Sequence, residues 1–216
     1  MSGETMKTLL QCDFDGTITE EDASFFLLDA FADGDWRRLL RDYQEDRISV
    51  GAFNSRAFSL VKADRETMLR NVRNNVRIRR GFGELVAYCA SRDFRFVIVS
   101  NGLHFYIEEI LAGVGLGHLE VHAAQAQFLP EGVKVQYLGP DGAHLDTGLK
   151  EEYIRLFLKQ GYRVLYAGNG RSDVYAARHA RRVFATGELL EHCQRHKLRC
   201  QPFADLTDVI RGLELL

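Results

Sequence analysis

The chain has 216 residues, 46% of them hydrophobic, and a formal net charge of -2. This is enough for one globular domain, or for a core domain with a modest insertion. The near-neutral charge gives no electrostatic basis for binding nucleic acid or an anionic membrane, and no apolar stretch is long enough to cross a bilayer. The polar N-terminus has no signal-peptide pattern, so we expect a cytoplasmic protein, either a monomer or a homodimer.

The cysteines indicate a reducing compartment. Cys12 and Cys89 lie in apolar segments and are expected in the core. The spacing of Cys193 and Cys200 fits no standard zinc pattern, so we interpret their segment as an ordinary surface helix. The arginines between residues 70 and 80 are interpreted as a solvated helix face and the loop after it.

The first predicted element is a buried strand over residues 8–12, followed directly by two aspartates. Asp13 and Asp15 are two positions apart, so their side chains point to the same side of the chain. Gly16 allows the chain to turn away immediately after them. Two carboxylates this close repel each other unless a cation lies between them or one is protonated. The pattern therefore predicts a hard metal ion, an acid–base pair, or both.

Between residues 19 and 77 the apolar residues recur at helical spacing, and the strand pattern is absent. The predicted helices cover residues 25–31, 36–43, 50–61 and 65–76. Ser49 and Asp64 are plausible N-caps for the last two. We interpret this segment as a small helical insertion into a domain made of residues 1–18 and 78–216.

From residue 81 onward, predicted helices and strands alternate. The helices cover residues 82–91, 105–114, 150–160 and 172–181, and the strands cover residues 94–99, 163–167 and 183–185. Short strands at residues 119–122, 126–129 and 133–138 form a local excursion, broken by prolines and a glycine. The alternation predicts an α/β fold with a Rossmann-like parallel sheet and helices on both faces.

Ligands of an open parallel sheet bind beyond the carboxyl ends of its strands, so the residues after each strand are informative. Thr17 ends the segment after the first strand, Ser100-Asn101-Gly102 follows the second, and residues 168–173 follow the third. Lys150 begins the helix before that third strand and can reach the same edge. Each signal alone is weak, since Asn-Gly is a common turn and a single lysine is usually solvated. Together they predict an active site.

In this order, the segments resemble the motifs of the haloacid-dehalogenase superfamily of phosphatases. The matching residues are Asp13-Phe14-Asp15-Gly16-Thr17, Ser100, Lys150 and Gly168-Asn169-Gly170-Arg171-Ser172-Asp173. Within the superfamily the chain resembles the phosphoserine-phosphatase-like branch, including its phosphatases of methionine salvage. The features that it shares with this branch are Ile18-Thr19, Asp22, Arg80-Gly81-Phe82, Ser172-Asp173-Val174 and Ala176-Ala177. The resemblance implies the superfamily's fold, with residues 19–77 as an α-helical cap.

The resemblance also implies a Mg²⁺-dependent phosphomonoesterase that acts on a small phosphorylated metabolite. Asp13 would be the nucleophile that forms an aspartyl-phosphate, and Asp15 would be the general acid and base. Mg²⁺ would be held by a side-chain oxygen of Asp13, the backbone carbonyl of Asp15 and the side chain of Asn169. Lys150 would neutralise the phosphate and hold Asp13, and Asp173 would orient Lys150 or a water molecule.

The remaining implied roles concern the phosphate and the organic part of the substrate. The phosphate would be held by Thr17, Ser100, Asn101, Gly102 and Lys150. Asp22 and Arg56 lie where the branch places substrate contacts. The aromatic residues Phe25, Phe26, Phe53 and Phe58 are expected to form the core of the cap.

Asn169 departs from the family pattern, which usually has an aspartate at this position. An amide oxygen can still bind Mg²⁺, but the site loses a negative charge, so we expect weaker metal binding. The sequence leaves three alternatives open: a phosphoserine phosphatase-like activity, phosphotransfer from Asp13 to an alcohol, and a non-catalytic relative that binds a phosphorylated metabolite.

Overall fold

A computed structural model describes residues 6–216 of the chain. Its centre is a seven-stranded sheet with the strand order β4-β3-β2-β1-β5-β6-β7. The strands are β1 (Thr8–Cys12), β2 (Arg95–Leu103), β3 (Glu120–Leu129), β4 (Gly132–Gln136), β5 (Arg163–Gly168), β6 (Arg182–Ala185) and β7 (Gln201–Pro202). Neighbouring strands run parallel except for β3 and β4, which form an antiparallel pair. The predicted α/β fold is therefore confirmed.

The central strand β1 positions the candidate site. All five of its residues are buried, as expected for a parallel strand that is covered on both faces. Cys12, its last residue, lies opposite Ile98 of β2 and Ala167 of β5. Because these three positions are level with each other, the residues that follow them emerge at the same edge of the sheet.

Most helices lie where the sequence predicted them, but the last one, α10, was not predicted. They are α1 (Ala23–Phe31), α2 (Trp36–Gln44), α3 (Val50–Phe58), α4 (Arg65–Asn75), α5 (Phe82–Ser91), α6 (His104–Gly113), α7 (Leu149–Lys159), α8 (Val174–Ala177), α9 (Gly187–Arg195) and α10 (Leu206–Leu213). Ser49 and Asp64 are confirmed as N-caps, since their side chains accept hydrogen bonds from the amides of Ala52 and Thr67. No helix of residues 6–216 is long and apolar enough to cross a membrane.

The helices α1 to α4 lie between β1 and α5 in the sequence. An antiparallel bridge between Thr19 and Ile78 joins the two ends of this segment. The segment also packs against the sheet domain, with α3 on β4 and α4 on α6. A side chain at Gly132, which has a φ of 149°, would collide with the carbonyl of Ser59 just after α3. The division into a core and a cap at these boundaries stays a prediction.

Three predicted elements differ from the structure. Strand β2 continues to Leu103, because its pairing with β3 resumes there after a register shift. The pairs Val99–His122 and Leu103–Ala124 show that β2 bulges between them. Two predicted short strands are one continuous strand, β3. The helix predicted for residues 172–181 is a 3₁₀ turn followed by the short α8, since the chain must return to the sheet at Arg181.

The cysteines are all free, and Cys12, Cys89 and Cys193 are buried. The surface helix expected over residues 191–200 is confirmed only for the first half of this segment. Helix α9 ends at Arg195, and Cys193 faces the core, with 2% of its surface exposed.

Candidate active site

A cavity of about 500 Å³ opens at the carboxyl ends of β1, β2 and β5. The predicted site residues that line it are Asp13, Asp15, Asp22, Ser100, Asn101, Gly102, Lys150 and Asn169. A larger adjoining hollow of about 950 Å³ shares Lys150 and Asn101 but is lined by neither aspartate of the first segment. The smaller cavity is therefore the candidate active site.

Asp13 is fixed at the end of β1 and paired with a buried cation. Its amide donates a hydrogen bond of 2.9 Å to the carbonyl of Ala167, which continues the pairing of β1 with β5. Its Oδ1 lies 2.8 Å from the Nζ of Lys150, and both side chains are less than a tenth exposed. Burial and the charge of Asp173 raise the pKa of Asp13, while Lys150 opposes the shift. The pair presents a carboxylate with its own counter-ion to the cavity.

Asp173 holds Lys150 and the loop after β5 together. Its Oδ1 lies 2.6 Å from the Nζ of Lys150 and accepts a 2.6 Å hydrogen bond from the hydroxyl of Tyr166. Its Oδ2 accepts from the amides of Asn169 and Gly170, at 3.0 and 2.8 Å. Asp173 is fully buried and does not line the cavity. It therefore holds Lys150 from the side away from the cavity, which is one of the two roles that the family resemblance implied for Asp173.

Asp15 is held by a helix N-terminus and a tyrosine. Its Oδ1 accepts from the amide of Ala23, the first residue of α1, at 2.9 Å. Its Oδ2 accepts from the hydroxyl of Tyr106 at 2.6 Å, and that hydroxyl also lies 2.8 Å from the Oγ of Ser24. Burial, and then the charge of Asp22, raise the pKa of Asp15 well above its usual value. The carboxyl group is thus suited to hold a proton.

The segment Ser100-Asn101-Gly102, which we predicted to bind phosphate, lies in the bulge of β2 and not in a loop after the strand. The Oγ of Ser100 accepts a 3.0 Å hydrogen bond from the amide of Gly102, and Ser100 is almost fully buried. A Cβ at Gly102 would collide with the Tyr106 hydroxyl and the Asp15 carboxylate. Only glycine allows the bulge to approach Asp15 this closely.

Asn169 packs against the turn after the two aspartates. Its Oδ1 accepts a 3.1 Å hydrogen bond from the Oγ1 of Thr17, which is buried beneath the cavity. Gly16 has a φ of 70°, and a side chain there would collide with the Asn169 carboxamide. Thr17 therefore orients Asn169 and does not itself line the cavity.

Arg79 was expected on a solvated surface, and this expectation is wrong. Its guanidinium donates hydrogen bonds of 2.8 Å to the carbonyls of Gly16 and Thr17. It also donates to the carbonyls of Thr19 and Ala204, at 3.3 and 3.0 Å. Arg79 lines the cavity and ties the aspartate-bearing turn to the segment before α10. The sequence offered no signal for this role, since other arginines surround it.

The donor set fits a hard divalent cation. Asp13, Asp15 and Asn169 all line the cavity and offer carboxylate, carbonyl and amide oxygens, which Mg²⁺ prefers. Within residues 6–216 no group of three His, Cys, Asp or Glu side chains is arranged to hold a metal ion.

The wall of the cavity opposite the carboxylates is largely apolar. It is formed by Phe25, Leu40, Tyr43, Val50 and Phe53. Tyr43 and Phe53 stack with their ring centroids 5.8 Å apart. Phe25 and Phe53 thus serve both the packing of the helices and the cavity, whereas Phe58 is wholly buried. Asp22 lies at the same rim, where it caps α1 through the amide of Phe25.

Arg56 does not reach the site. It is exposed on α3 and is not part of the cavity lining. Asn54, two residues earlier, faces the cavity, and a separation of two residues places side chains on nearly opposite sides of a helix. The helix was predicted correctly from the sequence, but Asn54, and not Arg56, is the residue of this helix that faces the cavity.

Comparisons with known proteins identify the family of this chain. A profile of the family described as haloacid dehalogenase-like hydrolase matches residues 10–178. The 2-hydroxy-3-keto-5-methylthiopentenyl-1-phosphate phosphatase of Geobacillus kaustophilus is 31% identical, with 97% of each chain covered. The protein of the same name from Brevibacillus brevis is 29% identical, with 96% of each covered.

Among solved structures, a phospho-aspartyl intermediate analogue of phosphoserine phosphatase superimposes with a TM-score of 0.74. It covers 96% of this chain and 99% of its own at 18% identity, which supports the shared fold. The family profile covers most of the chain, and the Geobacillus relative matches nearly its whole length. The chain belongs to the haloacid dehalogenase-like hydrolase family.

Proposed function

We propose that the protein is a Mg²⁺-dependent phosphomonoesterase that hydrolyses 2-hydroxy-3-keto-5-methylthiopentenyl 1-phosphate in methionine salvage. The observation that carries this proposal is the convergence of Asp13, Asp15, Lys150 and Asn169 on one cavity. The names of the full-length relatives support the choice of substrate. The free, mostly buried cysteines support a reducing, cytoplasmic location.

Asp13 is the nucleophile of the proposed reaction. One of its oxygens attacks phosphorus, a new O–P bond forms, and the ester P–O bond breaks. Asp15 gives its proton to the departing oxygen, which suits a carboxyl group with a raised pKa. In the second step Asp15 takes a proton from water, the water oxygen attacks the aspartyl-phosphate, and inorganic phosphate is released with Asp13 restored.

Charge stabilisation comes from Lys150 and from the β2 bulge. Lys150 lies 2.8 Å from Asp13, so its ammonium can follow the charge as it moves to the transferring phosphoryl group. The Ser100 hydroxyl and the Asn101 amide would bind the remaining phosphate oxygens, and the Gly102 amide, which donates to the Oγ of Ser100, would hold that hydroxyl in place. Mg²⁺, held by Asp13, Asp15 and Asn169, would neutralise phosphate charge and orient the group for attack.

The cavity wall favours a substrate with an apolar tail. A methylthio group can pack against Phe25, Val50 and Phe53, which line the cavity. Phosphoserine would instead need partners for a carboxylate and an ammonium group, and Arg56 is outside the cavity. Helices α1 and α3 contribute these residues, so we propose that residues 19–77 form a cap that selects the organic part.

The test is phosphate release by the purified protein with Mg²⁺ from a panel of phosphorylated metabolites, with Asp13→Asn as the blank. We expect the highest kcat/KM for the methylthio-ketose ester and a much lower value for phosphoserine. A preference for phosphoserine would contradict the proposed substrate. Release from no ester at all would contradict the proposed activity.

A further inference from the structure

A buried cluster of three polar residues joins the helical segment to the phosphate-binding bulge. The Nδ2 of Asn54, on α3, lies 3.0 Å from the carbonyl oxygen of Asn101 and 2.5 Å from the hydroxyl of Tyr137. The Tyr137 hydroxyl lies 2.6 Å from the same Asn101 carbonyl. Asn54 and Tyr137 are 5% and 4% exposed.

The chemistry of these groups fixes the orientation of the Asn54 carboxamide. The Asn101 carbonyl can only accept hydrogen bonds, so the single proton of Tyr137 points to it. The tyrosine oxygen must then accept, and Asn54 must present its NH₂ group to both neighbours. In the opposite orientation the Oδ1 of Asn54 would face the Asn101 carbonyl, and two acceptors would repel each other. Burial raises the pKa of Tyr137, so the hydroxyl keeps its proton.

The NH₂ group of Asn54 therefore faces both acceptors, and its Oδ1 points away from them. Among the described residues, no donor reaches this oxygen, and it is not one of the buried atoms that lack a partner. Asn54 lines the active-site cavity, whereas Tyr137 lies behind it and outside the lining. The oxygen thus opens into the cavity as a hydrogen-bond acceptor held in place by two bonds.

The surroundings of this oxygen indicate what it binds. Its neighbours on α3 that line the cavity, Val50 and Phe53, are apolar, so Asn54 is the polar side chain that this helix contributes. An amide oxygen repels a carboxylate and accepts from a neutral donor. Because Asn54 is bonded to Asn101, the residue next to Ser100, the acceptor lies beside the phosphate-binding segment. In such a wall one placed polar group sets the orientation of a ligand.

We propose that Asn54 is a specificity-determining residue, whose Oδ1 accepts a hydrogen bond from a substrate hydroxyl on the carbon next to the phosphate-bearing carbon. Tyr137 is a positioning residue that holds the amide in the required orientation. The inference rests on the proposed function in that the ligand is a phosphate monoester in this cavity. It adds which feature of the ester the protein recognises.

The experiment compares two probes, pentyl phosphate and 2-hydroxypentyl phosphate, that differ by one hydroxyl group. Dissociation constants are measured by calorimetry with Mg²⁺ in the Asp13→Asn background, where the esters are not consumed. We expect the hydroxylated ester to bind about three- to tenfold more tightly, as for one neutral hydrogen bond. Adding Asn54→Leu should bring the ratio to about one. Adding Tyr137→Phe should lower it to about twofold, because the amide is then free to turn.

The matched control is Ser59→Ala, an exposed position at the end of α3, which should keep the full ratio. If Asn54 served only to tie α3 to the bulge, Asn54→Leu would weaken both esters equally and leave the ratio unchanged. Equal binding of the two probes by the Asp13→Asn protein, or binding of neither, would overturn the proposal. The proposal would also be overturned if 2-aminopentyl phosphate bound more tightly than 2-hydroxypentyl phosphate, because the Oδ1 of Asn54 would then accept from an ammonium group of the substrate. If Asn54→Leu does not fold, the Tyr137→Phe ratio decides.

Turnover of p-nitrophenyl phosphate by the unmodified protein is measured separately. If the protein hydrolyses p-nitrophenyl phosphate but binds the two pentyl phosphate probes equally, the role of Asn54 is rejected and the proposed phosphatase activity stands. If the protein does not hydrolyse p-nitrophenyl phosphate but prefers the hydroxylated probe, the activity is rejected and the role of Asn54 in binding stands.

Discussion

The hydroxyl of Tyr106 donates a 2.6 Å hydrogen bond to the Oδ2 of Asp15, and the tyrosine side chain is fully buried. Because the same hydroxyl lies 2.8 Å from Ser24 in α1, it links the proposed general acid, Asp15, to that helix. The other oxygen of Asp15 is occupied by the Ala23 amide. Asp15 therefore has one preferred orientation toward the cavity before any substrate arrives.

Replacing Tyr106 with phenylalanine should slow the steps in which Asp15 moves a proton. We expect kcat for an alkyl phosphate to fall about tenfold, the order of one strong hydrogen bond. Hydrolysis of p-nitrophenyl phosphate should fall much less, because its leaving group needs little protonation. Steady-state kinetics with both esters makes the comparison. An equal loss for the two esters would mean that Tyr106 only supports the fold.

Removing the carboxylate of Asp13, the proposed nucleophile, should abolish turnover without harming the fold. We expect Asp13→Asn to lower kcat by at least about 10³-fold, since the amide cannot form the phosphorylated intermediate. Lys150 keeps Asp173 as its counter-ion, so the melting temperature should stay close to that of the unmodified protein. Asp141→Asn, at an exposed turn, is the matched control. A turnover by Asp13→Asn within tenfold of the unmodified protein would rule out the assigned nucleophile.

The parts of the site that lie at strand ends were predictable from the sequence. Asp13, Lys150 and Asn169 are marked by apolar strands or helix starts next to them, and parallel strands bring their ends together by geometry alone. The N-caps Ser49 and Asp64 were found for the same reason, because a cap is a local signal.

The parts that depend on distant contacts were not predictable. Arg79 bonds to Ala204, and Asn54 to Tyr137, across many residues of the chain, and no local pattern marks either pair. Arg56 was expected near the substrate only because of its position relative to the family branch, and such a resemblance locates the helix more reliably than the direction of each side chain on it. The bulge at Ser100 was missed since it depends on the register of β3 against β2.

Replacing Asn169, at the proposed metal site, with aspartate should strengthen the binding of Mg²⁺. Asn169→Asp would add a negative charge beside Asp13 and Asp15, so we expect activity to be retained and Mg²⁺ to bind about tenfold more tightly. The measurement is the Mg²⁺ concentration that gives half-maximal activity. Asn169→Ala, which removes the ligand oxygen, should raise that concentration. A complete loss of turnover in Asn169→Asp would contradict the assignment of this residue as a ligand.

Replacing Arg79 tests whether its hydrogen bonds stabilise the turn that carries Asp13 and Asp15. Because it donates to the carbonyls of Gly16, Thr17 and two further residues, Arg79→Ala leaves several acceptors without a partner. We expect the free energy of unfolding to fall by about 2 kcal/mol and kcat to fall with it, since the aspartate-bearing turn loosens. Chemical denaturation and steady-state kinetics on the same samples measure both.

Arg77→Ala is the matched control for this prediction. Arg77 is two residues away, is exposed, and pairs with Glu20 and Glu21 on the surface. Exposed ion pairs contribute little, so this change should alter stability by less than about 1 kcal/mol. Equal effects of the two substitutions would show that the arginines act through general charge. A loss confined to Arg79→Ala would show that its hydrogen bonds to the turn shape the site.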